Sequence, residues 1–470
     1  MIELPLPYQH VLVVGLGETG WSAVKFLISH QARVTVLDTR QSPPFLESAR
    51  ALAESSDVTI VLEALSDTWE TERWTSIDAI VLSPGIDPRQ PFFVAAAAQG
   101  VPIIGDVELA LQLVQPKVIA ITGSNGKSTV TDWVAYVLDQ IGYPVVACGN
   151  LGVPLLSLIV RDCDPKILEK VWVIELSSFQ LESLKSLQAE VAVCLNVEAD
   201  HLDRYRDIDE YARVKHRIYD GAHQAVINRD LPKNLRTDIS QPEQNTWSFG
   251  EKSDSEGIHD FYLAEQEGHV CLMLSGKPLL AVSELGIYGR HNQLNALAVL
   301  AILDAYGVDL TAAIAPLKNY RGLQHRCQWV GCYDGVHWFN DSKATNVGAV
   351  IAAIEGLCDA STGQLILLLG GVAKENGGYE ALVDPILNYV STVVLFGQDK
   401  AFLNQLFQPV ADDRLAIVEA DGLLDAVQQA RELAKPEDAV VLSPACASFD
   451  EFKNYQERGD QFMQWVKEGI

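Results

Sequence analysis

Positive charge is scarce in this 470-residue chain: 35 lysines and arginines face 62 aspartates and glutamates, for a formal net charge of −27. A broad nucleic-acid or anionic-membrane surface is therefore disfavoured, because repulsion from phosphates would act everywhere outside a local basic patch. Small anions can still be held in focused pockets. Cysteine offers no framework either: the eight residues are scattered, without a Cys-x-x-Cys pair, so neither a disulfide scaffold nor a cysteine zinc site is indicated. The chain begins without a basic-then-apolar leader, and a cytoplasmic location is the expectation. Apolar runs are short and broken by charge or glycine, which excludes membrane insertion by a long helix. Biased tracts and repeats of solenoid period are also missing.

What remains is a composition able to bury real cores, 48% hydrophobic and 21% charged. The length exceeds one ordinary core, and three domains are predicted at 1–105, 106–322 and 323–470. The first opens with a strand at His10 to Val14, a Gly15-Leu16-Gly17-Glu18-Thr19-Gly20 turn, an apolar helix, and a second strand from Arg33 that ends at Asp38. On spacing alone this βαβ opening suits a dinucleotide, but the signal is weak. Further strands at 79–82 and 101–104 end in Ser83-Pro84-Gly85 and Gly105-Asp106. In the third domain, strands at 336–339, 365–369, 392–396 and 439–442 alternate with helical segments such as 423–433. Alternation of this kind predicts an α/β layer fold.

The strongest signal lies between these domains. The apolar run Val118-Ile119-Ala120-Ile121 empties into Thr122-Gly123-Ser124-Asn125-Gly126-Lys127-Ser128-Thr129, with a helix predicted to begin near Thr129. Such a turn is a phosphate cradle: glycines let backbone N–H groups surround an anion, the helix N-terminus adds its dipole, Lys127 adds a charge, and Ser128 can hold Mg²⁺. Only Ser124 and Asn125 separate the two glycines, so the spacing departs from the common nucleotide loop. Downstream, the strand 171–174 closes on Glu175, where an acid serves Mg²⁺ directly or through water, or else caps the next segment with Ser177 and Ser178. Another strand, 191–195, closes on Asn196 and leads into Glu198, Asp200, His201 and Asp203, a crowd of metal-capable groups that makes a second ion plausible. The helix after Gly289-Arg290-His291-Asn292 runs through Asn295 to Ala305 and is predicted to be the last of the central domain. Lys215, in an apolar-periodic helix, would ordinarily be a solvated charge. The turn Asn340-Asp341-Ser342-Lys343-Ala344-Thr345-Asn346 reads as a ligand loop, or else as a helix cap at Ser342 or Thr345. Lys374 and Ser448 occupy equivalent strand-end positions, and Cys446, without a positioned histidine, is assigned to packing.

Together and in chain order these motifs resemble the Mur ligases, the ATP-dependent amide-forming enzymes of peptidoglycan precursor synthesis. The resemblance rests on Gly15 to Gly20, Asp38-Thr39-Arg40, Ser83-Pro84-Gly85, the phosphate loop, Glu175 to Gln180 and Asp200 to Tyr205. It continues through His291-Asn292 with Asn295, His325-Arg326, Asp341 to Asn346, and Leu442 to Phe449. Asp-Ser-Lys-Ala-Thr-Asn and Ser-Pro-Ala-Cys-Ala-Ser are similar to the member that adds D-glutamate. The chain departs from that pattern at Val372-Ala373, where an acidic or glycine pair is expected, and at Phe449, which replaces a smaller aliphatic residue.

The resemblance implies a Rossmann-like N-terminal domain, a P-loop ATPase-like central domain and a Rossmann-like C-terminal domain. It implies that Gly17, Thr19, Asp38, Thr39, Ser83 and Asn150 hold the UDP part of UDP-N-acetylmuramoyl-L-alanine rather than NAD. ATP would lie on Gly123, Ser124, Asn125, Gly126, Lys127, Ser128 and Thr129, with Asn295 and Arg326 at the adenine and Asp341 and Lys343 at the ribose and phosphates. Thr345, Lys374, Ser448 and Phe449 would position D-glutamate. Two Mg²⁺ ions are implied, held by Ser128, Glu175, His201 and a carbamylated Lys215, with Lys127, His201 and Lys215 as catalytic residues. A monomer is expected, acting only on small molecules, with its C-terminal domain closing when ligands bind. Other readings are another amino-acid ligase of the Mur and folylpolyglutamate superfamily, a nicotinamide dehydrogenase, and a non-catalytic nucleotide-binding regulator.

Overall fold

A computed structural model describes the chain apart from residues 1, 71–73, 199–203, 237–245, 254–258, 288, 359–362, 375–376 and 412–413. Its contacts group into two compact units. One comprises Met1–Ala264, Met273–Leu279 and Leu297–Pro316; the other comprises Glu265–Leu272, Leu280–Ala296 and Leu317–Ile470. The described residues form three sheets, and the α/β class expected from the alternating pattern is observed.

In the first sheet, β1 (His10–Val14), β2 (Arg33–Asp38), β3 (Val58–Leu62), β4 (Ala79–Leu82) and β5 (Ile103–Gly105) are ordered β3-β2-β1-β4-β5. All four pairings are parallel. The near-continuous apolar runs of β1 and β4 suit strands covered on both faces. Because the order reverses between β1 and β4, their carboxyl ends open a crevice at a topological switch point.

The second sheet contains β6 (Lys117–Thr122), β7 (Val145–Gly149), β8 (Val171–Glu175), β9 (Val191–Cys194), β10 (Gln224–Asn228), β11 (Thr246–Gly250), β12 (Asp260–Gln266), β13 (His269–Leu274) and β14 (Lys277–Ala281). Its order is β14-β13-β12-β11-β10-β9-β6-β8-β7, with β6 paired in parallel to β8 and β9. The phosphate-loop strand therefore lies inside the sheet, and its flanking strands deliver Glu175 and Asn196 to the same end. One apolar core, including Val13, Phe26, Leu109, Leu155, Trp172 and Tyr211, runs through the first unit.

Two helix expectations need correction. The helix expected to follow Asn292 starts at Arg290 instead and ends at Ala305 as expected, so Asn292 and Asn295 share a helical face. Nor is it the last before residue 322, since Leu310–Asn319 is also helical.

The third sheet, wholly in the second unit, has β15 (Gln328–Tyr333), β16 (Val336–Asn340), β17 (Leu365–Gly370), β18 (Val390–Phe396), β19 (Ala416–Glu419) and β20 (Ala439–Ala445) in the order β15-β16-β20-β17-β18-β19. Only the β15–β16 pair is antiparallel. Adjacent β16, β20 and β17 send their carboxyl ends in one direction, toward the turns that carry Asp341, Ser448 and Lys374. The helix Leu423–Leu433 forms over the expected residues. No helix of the described residues is long and apolar enough to cross a membrane.

Candidate active site

Thr122 ends β6, and the helix Lys127–Gln140 begins two residues earlier than expected, placing Lys127 and Ser128 in its first turn. Gly126 adopts φ 77°, a left-handed conformation that favours glycine and lets the chain turn into the helix. The turn is held from the β9 side. Asn125 N donates to Asn196 Oδ1 at 2.8 Å, Asn125 Nδ2 donates to Glu198 Oε2 at 2.7 Å, and Ser124 N donates to Asn196 O at 3.0 Å. Asn196, on which the strand closes, and Glu198, placed by the sequence among metal-capable groups, thus shape the phosphate loop. Lys127 Nζ donates to Gly123 O at 2.9 Å and Ser124 O at 2.8 Å, keeping the ammonium at the loop.

Glu175 is 1% exposed. Its Oε1 accepts from Asn150 Nδ2 at 2.7 Å, while Oε2 is buried without a hydrogen-bond partner. The helix cap belongs instead to Ser177 and Gln180, which bond reciprocally. An orphaned carboxylate oxygen beside a phosphate loop suits a divalent cation, whose charge would offset the desolvation of the acid. Asn150, expected at the substrate, also fixes Glu175. His201 lies outside the described residues, among which no group of three or more His, Cys, Asp or Glu forms a metal cluster.

Lys215 departs from the solvated charge expected of its type: it is 1% exposed on the helix Ile208–His216. Spacing of i, i+4 puts it on the face of Tyr211, over whose ring its Nζ lies 4.5 Å from the centroid. The same Nζ donates to Gly123 O at 2.8 Å. Two lysines from different helices therefore meet one loop carbonyl. They focus positive potential in an otherwise acidic chain.

Both lysines line a cavity of about 540 Å³ that also takes in Gly17, Thr19, Asp38, Thr39, Arg40, Ser83 and Asn150. The switch-point crevice thus extends to Lys127 of the phosphate loop within the first unit. A Cβ on Gly20 would fall 1.8 Å from Gly15 O, so close approach of helix and turn requires glycine there. Asp38 is saturated. Its Oδ2 accepts from Leu16 N at 2.6 Å and Arg40 Nη2 at 2.7 Å, and its Oδ1 accepts from Arg40 N and Nε, both at 2.9 Å. Burial pushes this carboxyl up, but the hydrogen bonds from Arg40 and Leu16 prevail and hold it below the usual range. Arg40, quoted in the motif but not assigned to the site, also lines the cavity.

In the second unit, Asn295 Nδ2 donates to Asn292 Oδ1 at 3.0 Å. Asp341 Oδ2 accepts from Ser443 Oγ at 2.7 Å and Oδ1 from Cys327 N at 3.1 Å, while Arg326 is exposed. The cap of the helix Val347–Cys358 is neither Ser342 nor Thr345 but Asn346, whose Oδ1 accepts from Ala349 N at 2.9 Å. Lys343 Nζ lies 5.6 Å from the Tyr455 ring centroid. Lys374 is exposed, its backbone N donating to Tyr379 Oη at 2.9 Å, whereas Ser448 is buried. Phe449 is 74% exposed. Cys446 is buried, and desolvation pushes its thiol up to about 11, as a packing residue requires. Tyr211, Arg40 and Tyr379 were not assigned to the site by sequence reasoning; the usable signals were the four-residue spacing of Tyr211 from Lys215 and the Asp38-Thr39-Arg40 motif.

Burial pushes the Asp341 carboxyl up to about 7, against hydrogen bonds from Ser443 and Cys327. The folded protein then binds this proton more tightly than the unfolded chain does. The group therefore costs stability progressively as pH rises from about 4 to about 7. Without ligand, Asp341→Asn flattens the fall in Tm over that window by several degrees relative to the parent. Melting curves that stay parallel across the window contradict this assignment.

Comparison with known proteins accords with this arrangement. Three family models match in order: the MurD-like N-terminal domain of Mur ligases at residues 9–105, the Mur ligase middle domain at 121–303, and the Mur ligase glutamate ligase domain at 325–446. The UDP-N-acetylmuramoylalanine–D-glutamate ligase of Pseudomonas savastanoi is 42% identical over 457 residues, covering 97% of each chain. The protein of that name from Pseudomonas aeruginosa is 42% identical over 460 residues, again 97% of each. Among solved structures, the UDP-N-acetylmuramate-alanine ligase of Thermotoga maritima shares the fold, with TM-score 0.57 and 18% identity over 98% of this chain and 100% of the other. Matched by family models along most of its length and by relatives end to end, the chain belongs to the Mur ligase family.

Proposed function

We propose that the chain joins D-glutamate to the L-alanyl carboxylate of UDP-N-acetylmuramoyl-L-alanine, converting ATP to ADP and phosphate. The observation that carries this reading is the continuous cavity from the β1–β2–β4 crevice to Lys127, which can seat a nucleotide sugar with its carboxylate beside a phosphate loop. Relatives 41–42% identical over 97% of the chain bear the name of that ligase.

In this reading Gly17, Thr19, Thr39 and Ser83 hold the uridine diphosphate, with Asp38 orienting Arg40 and the turn at Leu16. Asn150 works through Glu175. The loop Gly123 to Thr129 cradles the ATP phosphates, and Asn295, Arg326, Asp341 and Lys343 serve the nucleoside and remaining phosphate contacts. Mg²⁺ fits Glu175 Oε2 and the Ser128 hydroxyl; when bound it supplies charge neutralisation at the phosphates. A second ion is assigned to Lys215, as a carbamate, and to His201; this rests on family resemblance together with the burial of Lys215 beside the loop.

The alanyl carboxylate oxygen attacks the γ-phosphorus, the bond to the β–γ bridging oxygen breaks, and ADP leaves. Lys127 neutralises the charge that develops on the transferred group, so catalysis is positioning and electrostatics. The D-glutamate amine then attacks the acyl carbon, loses a proton, and expels phosphate. Thr345, Lys374 and Ser448 hold the amino acid, Lys374 as a counter-charge to a carboxylate. Phe449 is exposed enough to cover it.

The test is ADP release with UDP-N-acetylmuramoyl-L-alanine, scanned across amino acids and both enantiomers of glutamate. Turnover is expected with D-glutamate alone and is lost when divalent ions are chelated. Turnover with L-glutamate or a diamino acid would instead place the chain with another ligase of the superfamily. ATP binding without any amino-acid-dependent turnover would favour a regulator.

A further inference from the structure

Arg458, on the helix Tyr455–Glu468, is 0% exposed, yet among the described residues no carboxylate forms an ion pair with it. All its acceptors are neutral oxygens on two separate turns. Nε donates to Ser342 Oγ at 2.9 Å and Nη2 to Ser342 O at 2.9 Å. Nη1 and Nη2 each donate to Cys446 O at 3.2 Å. Ser342 Oγ in turn donates to Tyr455 O at 2.8 Å, closing the arrangement on the arginine's own helix. Desolvation lowers the guanidinium to about 10, which leaves it charged at neutral pH.

A buried cation held only by neutral oxygens is a poor way to gain stability, since well-packed apolar residues of similar volume commonly do as well. What a guanidinium adds is a rigid planar fork that fixes the distance between two acceptors. Here the fork spans the turn after β16, which carries Lys343 and Thr345, and the turn after β20, which carries Ser448. The neighbouring residue completes the seat: a Cβ on Gly459 would meet His325 Nδ1 at 2.2 Å, and Gly459 O accepts from Asn340 Nδ2 at 3.3 Å. A backbone bridge between Val372 and Ala447, with both N–H···O distances 2.9 Å, ties the β20 turn to the one carrying Lys374.

We infer that Arg458 is a positioning residue for the amino-acid substrate: by clamping Ser342 to Cys446 it holds Thr345 and Ser448 in register with Lys374. This rests on the ligase reading above and adds a determinant that touches no substrate itself. A clamp released by one bond length displaces both turns, and misplacements of that size cost about a hundredfold in well-positioned reactions.

The test uses the full chain with Arg458→Lys, which keeps the charge but cannot span both acceptors, alongside Arg458→Met and Ser342→Ala. KM for D-glutamate is expected to rise roughly 10- to 100-fold in Arg458→Lys, while KM for the nucleotide sugar stays within about twofold. Ser342→Ala moves the same way by less, and carries the test with Arg458→Lys where Arg458→Met does not fold. An unchanged KM for D-glutamate, or a fall in kcat with every KM intact, overturns the inference. Hydrogen exchange separates it from the ligase reading: amides of 341–346 and 446–449 lose protection together in Arg458→Lys whatever the amino acid used. Loss confined to one segment would also overturn the clamp, whereas a parent enzyme inert toward D-glutamate would overturn only the ligase reading.

Discussion

Lys127→Ala lowers kcat/KM for amide formation by about 10³-fold or more, with binding of the nucleotide sugar retained. The magnitude follows from removing a charge aimed at the transferring phosphoryl group in a partly enclosed site, where each fixed donor is worth several kcal/mol. In the ligand-free protein the Lys127 ammonium bonds Gly123 O and Ser124 O, so it already stands at the loop and needs no large rearrangement to meet a phosphate. Arginine is a poor substitute, because its planar fork does not reproduce a point charge at this depth. Steady-state kinetics and nucleotide-sugar binding on the same preparation check the result. Parallel loss of binding and turnover would mean that the loop had collapsed rather than lost a catalytic charge.

The second large effect is expected at Lys215. Its ammonium is buried over Tyr211 and bonded to Gly123 O, close to where phosphates and a divalent ion are proposed. A cation there opposes a metal ion, whereas the carbamate formed from its neutral amine and CO₂ would be a ligand. Lys215→Ala should therefore reduce turnover by about 10²- to 10³-fold and, unlike Lys127→Ala, recover in part when a small carboxylate such as formate is added. Equal activity with and without CO₂ in the parent enzyme, and no response of the variant to carboxylates, would assign Lys215 a role as a loop-bound ammonium.

Much of this site was legible because its determinants are local. The phosphate loop needs only a strand, two glycines, a lysine and a helix in succession, and Glu175 and Asp38 announce themselves by closing apolar strands. What depends on side chains meeting across the fold was not legible. Asp38 reads as a ligand-facing acid until Arg40 is seen to saturate it, and Glu198 reads as one of a crowd of metal-capable groups until it and Asn196 are found bracing Asn125. Lys215 stands at the helical spacing of buried Tyr211 and Ile218, but its residue type argues for a solvated charge, and that expectation hid its burial. Arg458 carries no local signal, because its partners lie 116 and 12 residues away along the chain. Among the strands that the sequence reading did not name, β3, β15 and β19 are half-buried sheet edges, which lack the continuous apolar run that marked β1 or β17.

The central claim is that the loop at Lys127 hands the terminal phosphoryl group of ATP to the substrate's own carboxylate. Labelling both oxygens of the L-alanyl carboxylate with ¹⁸O and analysing the products by mass spectrometry tests it directly. Transfer of one labelled oxygen into each inorganic phosphate released, with none in ADP, is the predicted result. Unlabelled phosphate, or label appearing in AMP, would contradict it.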